Sequence, residues 1–149
     1  MVQPLNFPSY SFRLKSKENK KFIYDIIRKK FVSLQPEEWV RQHCIHYLMK
    51  EQNIPSSLIN VERTLILNGL KKRYDIVVYY PDGSIFMIVE CKSQKIAITQ
   101  KTFNQIAQYN LVLDASYLMI TNGEKHYFAK LDFKKKNYLF LKEFPKFSL

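Results

Sequence analysis

Residues 74–92 read Tyr74-Asp75-Ile76-Val77-Val78-Tyr79-Tyr80-Pro81-Asp82-Gly83-Ser84-Ile85-Phe86-Met87-Ile88-Val89-Glu90-Cys91-Lys92. Two runs of β-branched, aromatic and long apolar residues flank Asp82-Gly83, the strongest short-range hairpin signal. A two-residue loop there pairs Pro81 with Ser84 and, counting outward, sets Asp75 directly opposite Glu90. Strand alternation puts Lys92 on the face of Glu90. Both strands carry large apolar residues on both faces: Ile76 and Val78 oppose Val77 and Tyr79, and Phe86 and Ile88 oppose Met87 and Val89. Such strands are usually covered on both sides, so solvent-facing carboxylates on an open sheet fit this composition poorly.

Two facing carboxylates repel, and burying one without a partner costs several kcal/mol or shifts its pKa until it neutralises. Something positive must sit there. A divalent cation held by oxygen ligands, with the Lys92 ammonium beside it, supplies the charge and suits hydrolysis of phosphodiesters. The alternative is a structural set in which Lys71, Lys72, Arg73 or Lys92 pairs with the carboxylates, which predicts no dependence on metal. Under the metal reading, Asp75→Asn in metal-free buffer is expected to melt at or above the wild-type temperature, because it removes the repulsion.

The rest of the chain arranges itself around this hairpin. Pro36 at a first helical position, with Glu37 and Glu38 in the first turn, starts a helix to about Gln52 whose apolar stripe is Trp39, Val40, Cys44, Tyr47 and Leu48. Asn60 to Leu67 reads as a strand, and Asn68-Gly69 turns it into the Tyr74 strand. Thr99 caps a second helix ending near Asp114. Ser116 to Thr121 reads as a strand that turns at Asn122-Gly123 into Lys125 to Leu131, with Tyr138 to Leu141 as a further edge. Phe22 to Phe31 fits helix or strand. The expected class is α/β, a mixed central sheet flanked by helices with core order α-β-β-β-α-β.

At 149 residues, 46% hydrophobic and 15% aromatic, the chain suits one domain spanning 1–149, its N-terminal ~20 residues an extended arm. No run is long enough for a membrane span, and Met1 to Tyr10 lacks a secretory pattern, which points to the cytoplasm. Cys44 and Cys91 show no zinc or redox spacing and read as free thiols. His43 and His46 lack the companions of a zinc site and read as ordinary helix residues.

Twenty-four Lys and Arg against 13 Asp and Glu leave a net charge of +11, which favours a polyanion and predicts binding that weakens steeply with salt. Basic clusters occur at Lys20-Lys21, Arg28-Lys29-Lys30, Lys71-Lys72-Arg73 and Lys134-Lys135-Lys136. Lys71, Lys72 and Arg73 lead straight into the Asp75 strand, where they could neutralise phosphates flanking a scissile one.

Asp75 followed by Glu90-Cys91-Lys92 resembles the D…(D/E)-x-K signature of the restriction-endonuclease-like PD-(D/E)XK nucleases. The surrounding string is more specific: Pro36-Glu37-Glu38-Trp39-Val40-Arg41-Gln42, Leu67-Asn68-Gly69 before Arg73-Tyr74-Asp75-Ile76-Val77-Val78, Val89-Glu90-Cys91-Lys92, Gln105-Ile106-Ala107-Gln108-Tyr109-Asn110, and Leu118-Met119-Ile120-Thr121-Asn122-Gly123. In that order it is similar to the N-terminal nuclease domain of type I restriction enzyme restriction subunits, here as a free-standing chain, from about Tyr24 to about Leu131. Tyr74 stands where the superfamily's proline would be, and no helicase-type motor motif is present.

The resemblance implies a magnesium- or manganese-dependent deoxyribonuclease. Asp75, Glu90 and the Cys91 carbonyl would hold the metal, and Lys92 would serve the attacking water. Glu38 would act as a third acidic ligand, against its plain reading as a helix-dipole partner. Gln105 and Tyr109, at i and i+4, would position substrate, against their plain reading as one face of an amphipathic helix. DNA is the implied partner, along with other restriction-modification subunits or a motor protein, and a homodimer is left open. A rival expectation is a non-catalytic nucleic-acid-binding or complex-assembly module that retains the nuclease fold.

Overall fold

The computed structural model describes residues 4–67 and 69–149, residue 67 by its backbone alone, so Asn68 of the expected Asn68-Gly69 turn lies outside the described residues. In chain order the elements are β1 (Leu14–Lys17), β2 (Lys20–Asp25), β3 (Lys30–Ser33), α1 (Pro36–Lys50), β4 (Ile59–Leu67), β5 (Leu70–Tyr79), β6 (Ile85–Cys91), α2 (Gln100–Asn110), β7 (Ala115–Thr121), β8 (His126–Asp132) and β9 (Asn137–Leu141), with one 3₁₀ turn at Ser56–Leu58. Strands β4 to β9 form a six-stranded mixed sheet in sequential order, and β1 to β3 form a separate three-stranded sheet. All pairs are antiparallel except β6 with β7. A parallel pair needs a crossover, and α2, N-capped by the Thr99 hydroxyl accepting from the Thr102 amide at 3.1 Å, provides it.

The β5–β6 hairpin departs from the two-residue loop. The Gly83 amide donates to the Tyr80 carbonyl (3.0 Å) and the Tyr80 amide to the Ser84 carbonyl (2.8 Å), so Pro81-Asp82-Gly83 form a three-residue loop. Proline suits the second position of a type I turn, and Gly83 at φ +89° takes the left-handed position that follows it. This loop shifts the register by one, and an irregularity between Val78 and Tyr79 shifts it back, so that Val78 pairs with Met87 and Ile76 with Val89. The β5–β6 pairing ends at Ile76–Val89, so the expected Asp75–Glu90 pair is not one of its pairs.

Both sheet faces are covered. Val40, Cys44, Ile45 and Leu48 of α1 pack on Ile76, Val78, Met87 and Val89. On the other face, Phe103 and Ala107 of α2 pack on Val77, Ile88, Leu118 and Ile120. Fully burying a side chain of this kind contributes about 1.5–3 kcal/mol, enough to fix which way each strand faces. Helix α1 does not have the single stripe its sequence suggests, because Glu38, Arg41, Gln42, His43 and His46 are buried as well. The added cover is the N-terminal chain. Asp25 on β2 accepts from the Gln42 amide at 2.9 Å, and Phe12 packs against Trp39, His43 and His46. Phe22 to Phe31, ambiguous in sequence, is a hairpin closed by Asp25, whose Oδ1 accepts the Ile27 and Arg28 amides at 2.8 and 2.7 Å.

Residues ahead of β1 are tied down at Gly123, whose carbonyl accepts the Asn6 amide at 2.7 Å. Gly123 has φ +87°, and a Cβ there would meet Leu5 Cδ2 at 2.8 Å and Val40 Cγ2 at 3.2 Å. Gly123→Ala is therefore expected to cost about 1–3 kcal/mol by combining left-handed strain with overpacking. A urea titration measures the loss, and a change below about 0.5 kcal/mol would show that the N-terminal segment does not press on this turn.

Candidate active site

Strand β5 breaks its alternation at Asp75. Tyr74 packs in the cluster on the α2 face and Ile76 in the cluster on the α1 face, although residues two apart in a regular strand share a face. Opposite the break, Glu62 on β4 has φ +56°, and the β4–β5 register runs from Val61–Ile76 to Arg63–Tyr74 with no Glu62–Asp75 pair. Such backbone costs on the order of 1–3 kcal/mol and persists where neighbours over-determine it. The kink swings the Asp75 carboxylate toward the end of β6, where Oδ2 accepts the Cys91 amide at 2.7 Å. In an extended strand the amide and carbonyl of a residue point to the same side, so the Cys91 carbonyl also faces β5.

The other Asp75 oxygen, Oδ1, accepts from the buried Arg41 guanidinium of α1 at 2.9 Å. Arg41 also bonds Glu38 Oε1 at 2.7 Å and pairs with Glu62 Oε1 at 2.7 Å and Glu37 Oε2 at 3.7 Å. Burial alone would lower its pKa, but Glu38 and Asp75 outweigh that and raise it. Glu38 is held on every side, taking Arg28 Nη2 on both oxygens at 3.1 Å and the Gln42 amide at 3.0 Å besides Arg41. Its neighbour Glu37 faces Asp75 instead, and burial followed by the Asp75 charge raises the Glu37 pKa. Arg41, Glu37 and Glu62 were not singled out in the sequence. The spacing of Glu37 and Glu38 to Arg41 was the available signal, since i,i+3 and i,i+4 partners share a helix face.

Glu90 follows Ile88 on the α2 face of β6. Burial first, then Asp75, pushes its pKa up to about 7, against the opposing pull of Lys92 and Lys72. No hydrogen bond or ion pair of Glu90 or Lys92 side chains occurs among the described residues. Lys72 approaches from β5, its pKa brought down to about 8 by burial although Glu90 acts to raise it. Its ammonium donates to the Tyr109 carbonyl at 3.2 Å and rests on the Tyr109 ring, while Tyr109 itself is exposed. Gln105 lies exposed one turn earlier on α2. Arg73 pairs with Glu62, and Lys71 is exposed. The structure thus gathers Asp75, Glu90, Lys72 and Tyr109 at one end of the sheet with Lys92 just beyond β6. Glu38 is taken up instead by Arg28 ahead of β3 and by Arg41 and Gln42 of α1.

The repulsion expected between the carboxylates is answered on one side only. Arg41 already supplies a countercharge to Asp75, so Asp75→Asn would lose that ion pair, and the stabilising substitution moves to Glu90. A proton held by folded Glu90 up to about pH 7 is released from the unfolded chain near its usual 4.5, so stability falls as pH rises through that window. Glu90→Gln should abolish this fall and be more stable above pH 7, by at most about 3 kcal/mol. Chemical denaturation from pH 5 to pH 8 without metal reads the difference, and parallel curves for the two proteins would contradict it.

Two carboxylates and a backbone carbonyl form an all-oxygen donor set, the kind used by magnesium or manganese with water completing the shell. A cation would have to share Asp75 with Arg41. Among the described residues no three His, Cys, Asp or Glu side chains gather as a ligand group for any metal ion, and Cys44 and Cys91 are buried thiols. No helix among the described residues is long and apolar enough to cross a membrane.

The profile described as "Type I restriction enzyme R protein N terminus (HSDR_N)" matches residues 36–145. Among solved structures, a fragment of an HsdR subunit of a type I restriction enzyme from Vibrio vulnificus YJ016 is similar at 22% identity and a TM-score of 0.44, covering 68% of this chain and 22% of that one. No curated protein matches the chain.

Proposed function

We propose, on the premise that the chain belongs to the family of type I restriction enzyme R protein N termini, that it is a magnesium-dependent nuclease hydrolysing DNA phosphodiesters. The observation that supports this best is Glu90: a half-buried carboxylate at the end of β6, its pKa pushed up to about 7 by burial and the Asp75 charge, with no hydrogen bond or ion pair of its own among the described residues. Structural ion-pair sites end with their charges matched. This one leaves Glu90 without an ion pair although the Lys92 and Lys72 charges act on it, room that a bound cation would use.

Asp75, Glu90 and the Cys91 carbonyl would hold the cation, which when bound supplies charge for a phosphate oxygen and a more acidic water. Lys92 orients the attacking water or stabilises the charge that grows on the phosphate. Lys72 and Tyr109 line the strand's approach on the α2 side, with Gln105 one turn away, while Lys71 and Arg73 contact flanking phosphates. Arg41 positions Asp75 from behind. No base-reading element is evident, so sequence choice is left to a partner such as a restriction-modification subunit or motor protein.

The second reading is a non-catalytic DNA-binding or assembly module, favoured by the Arg41–Asp75 contact, which already supplies one countercharge. Thermal melts in EDTA and in millimolar magnesium separate the two. Under the nuclease reading, magnesium at about 100 times its dissociation constant adds about 2.7 kcal/mol of stability, and supercoiled DNA is nicked in the same buffer. A protein indifferent to magnesium and unable to nick is the assembly module.

A further inference from the structure

The sheet formed by β1, β2 and β3 precedes residue 36, where the family match begins, and none of its strands contributes to the candidate active site. Its inner face is anchored at β2: Ile23 is fully buried, and Asp25 is locked to Arg28 and Gln42, while Leu14, Lys21 and Lys30 on that side are exposed. Its outer face is not. The register sets Lys15 opposite Phe22, Lys17 opposite Lys20, Phe22 opposite Ser33 and Tyr24 opposite Phe31, all on one side of the sheet. That side carries three partly exposed rings and four cations, Arg13 included, and no carboxylate from its strands. The Tyr24 and Phe31 rings sit 5.3 Å apart. Arg13 lies 4.4 Å over Tyr24, and Lys15 lies 4.3 Å over Phe31 and 5.9 Å over Phe22.

Lysines on a sheet edge are ordinary solubilising residues, and aromatic cross-strand pairs ordinarily stabilise a small sheet. Interleaved on one uncovered face, the two do something that neither does alone. Cations track a phosphate backbone while neighbouring rings offer flat surfaces to unstacked bases, the recurring construction of proteins that bind single strands without reading sequence. Duplex DNA keeps its bases stacked inside and cannot use the rings. An acidic protein would also meet the cations, but it has no flat bases to stack on the rings, which is the difference the test reads.

We propose that the outer face of the β1–β2–β3 sheet is a binding platform for single-stranded nucleic acid, with Tyr24, Phe31 and Phe22 stacking bases as Arg13 and Lys15 leave the ring faces for phosphates, which Lys17 and Lys20 also contact. The platform holds a strand whether or not the chain cuts it, so the proposal stands apart from the nuclease reading. Arg28, which bonds both Asp25 beneath this sheet and Glu38 of α1, ties the platform to the helix that positions Asp75.

The test uses the whole chain in EDTA, where metal-dependent cleavage cannot interfere. Fluorescence anisotropy is measured with a dT20 oligonucleotide, an rU20 oligonucleotide, a 20-base-pair duplex and heparin, and 2-aminopurine placed in the single strand reports stacking. Wild type is expected to bind dT20 at least about tenfold more tightly than duplex and to change the 2-aminopurine emission. The dT20 and rU20 arms tell whether the strand is DNA or RNA. Tyr24→Leu and Phe31→Leu keep apolar volume and remove the ring, and each should weaken single-strand binding about tenfold with little change in heparin binding. Lys15→Gln should lower the salt dependence of all four. A melting curve for each variant shows that the sheet is intact, and Arg13→Gln, which touches no buried group, repeats the measurement if a leucine variant unfolds. Duplex bound as tightly as dT20, or leucine variants that bind and alter the emission as wild type does, would overturn the platform. Heparin bound in preference to single strands, with only the lysine change mattering, would overturn it in favour of an acidic protein partner.

Discussion

Asp75→Ala, Glu90→Ala and Lys92→Ala should each reduce magnesium-dependent DNA cleavage by at least about a hundredfold while leaving salt-sensitive DNA binding within about threefold of wild type. The roles are physically separable. Under the proposed function, affinity would come from a net charge of +11 spread over many Lys and Arg, whereas these three residues would act where charge develops during hydrolysis. The carboxylates should lose more than Lys92, since removing either dismantles the cation site. The Asp75 variant also needs a stability check, because its Oδ2 anchors the Cys91 amide at 2.7 Å. Nicking that persists in highly purified Glu90→Ala protein would mean that the chemistry lies elsewhere.

Arg41→Met should be the most destabilising substitution near the site, by about 3–5 kcal/mol, which for a chain of this length lowers the melting temperature by about 10 °C. The guanidinium is buried and lies within 3.0 Å of Glu38, Asp75 and Glu62. Methionine fills the volume and leaves three carboxylates short of a cation. Glu38 keeps Arg28 and Gln42, and Glu62 keeps Arg73, but Asp75 is left with only the Cys91 amide. Magnesium should therefore restore more stability to Arg41→Met than it adds to wild type. A loss below about 1 kcal/mol in EDTA, with no extra response to magnesium, would show that Arg41 does not balance the site.

The sheet hairpin was legible because its apolar runs and turn residues are local signals. Even there, Pro81 made the loop one residue longer than Asp82-Gly83 alone suggested, and the irregularity near Tyr79 concealed the difference from any count made in sequence. The nearness of Asp75 and Glu90 could be read from the chain, although the β5–β6 pairing stops at Ile76–Val89. The break that turns Tyr74 and Ile76 to opposite faces could not, since it is set by Glu62 on another strand. Arg41 shows the same limit. A basic residue three after Glu38 reads as a helical pair, and only the packing of α1 on β5 reveals that it also serves Asp75. The three-stranded sheet was missed as a unit because β1 is exposed along its whole length and carries no apolar alternation to announce it.

The central claim is that Asp75 and Glu90 hold a divalent cation, and crystals soaked in manganese chloride test it most directly through anomalous scattering. The account predicts a peak between the two carboxylates, about 2.0–2.3 Å from an oxygen of each and from the Cys91 carbonyl, with Arg41 still touching Asp75 or drawn back toward Glu38 and Glu62. An anomalous map with no peak there at saturating manganese would contradict it.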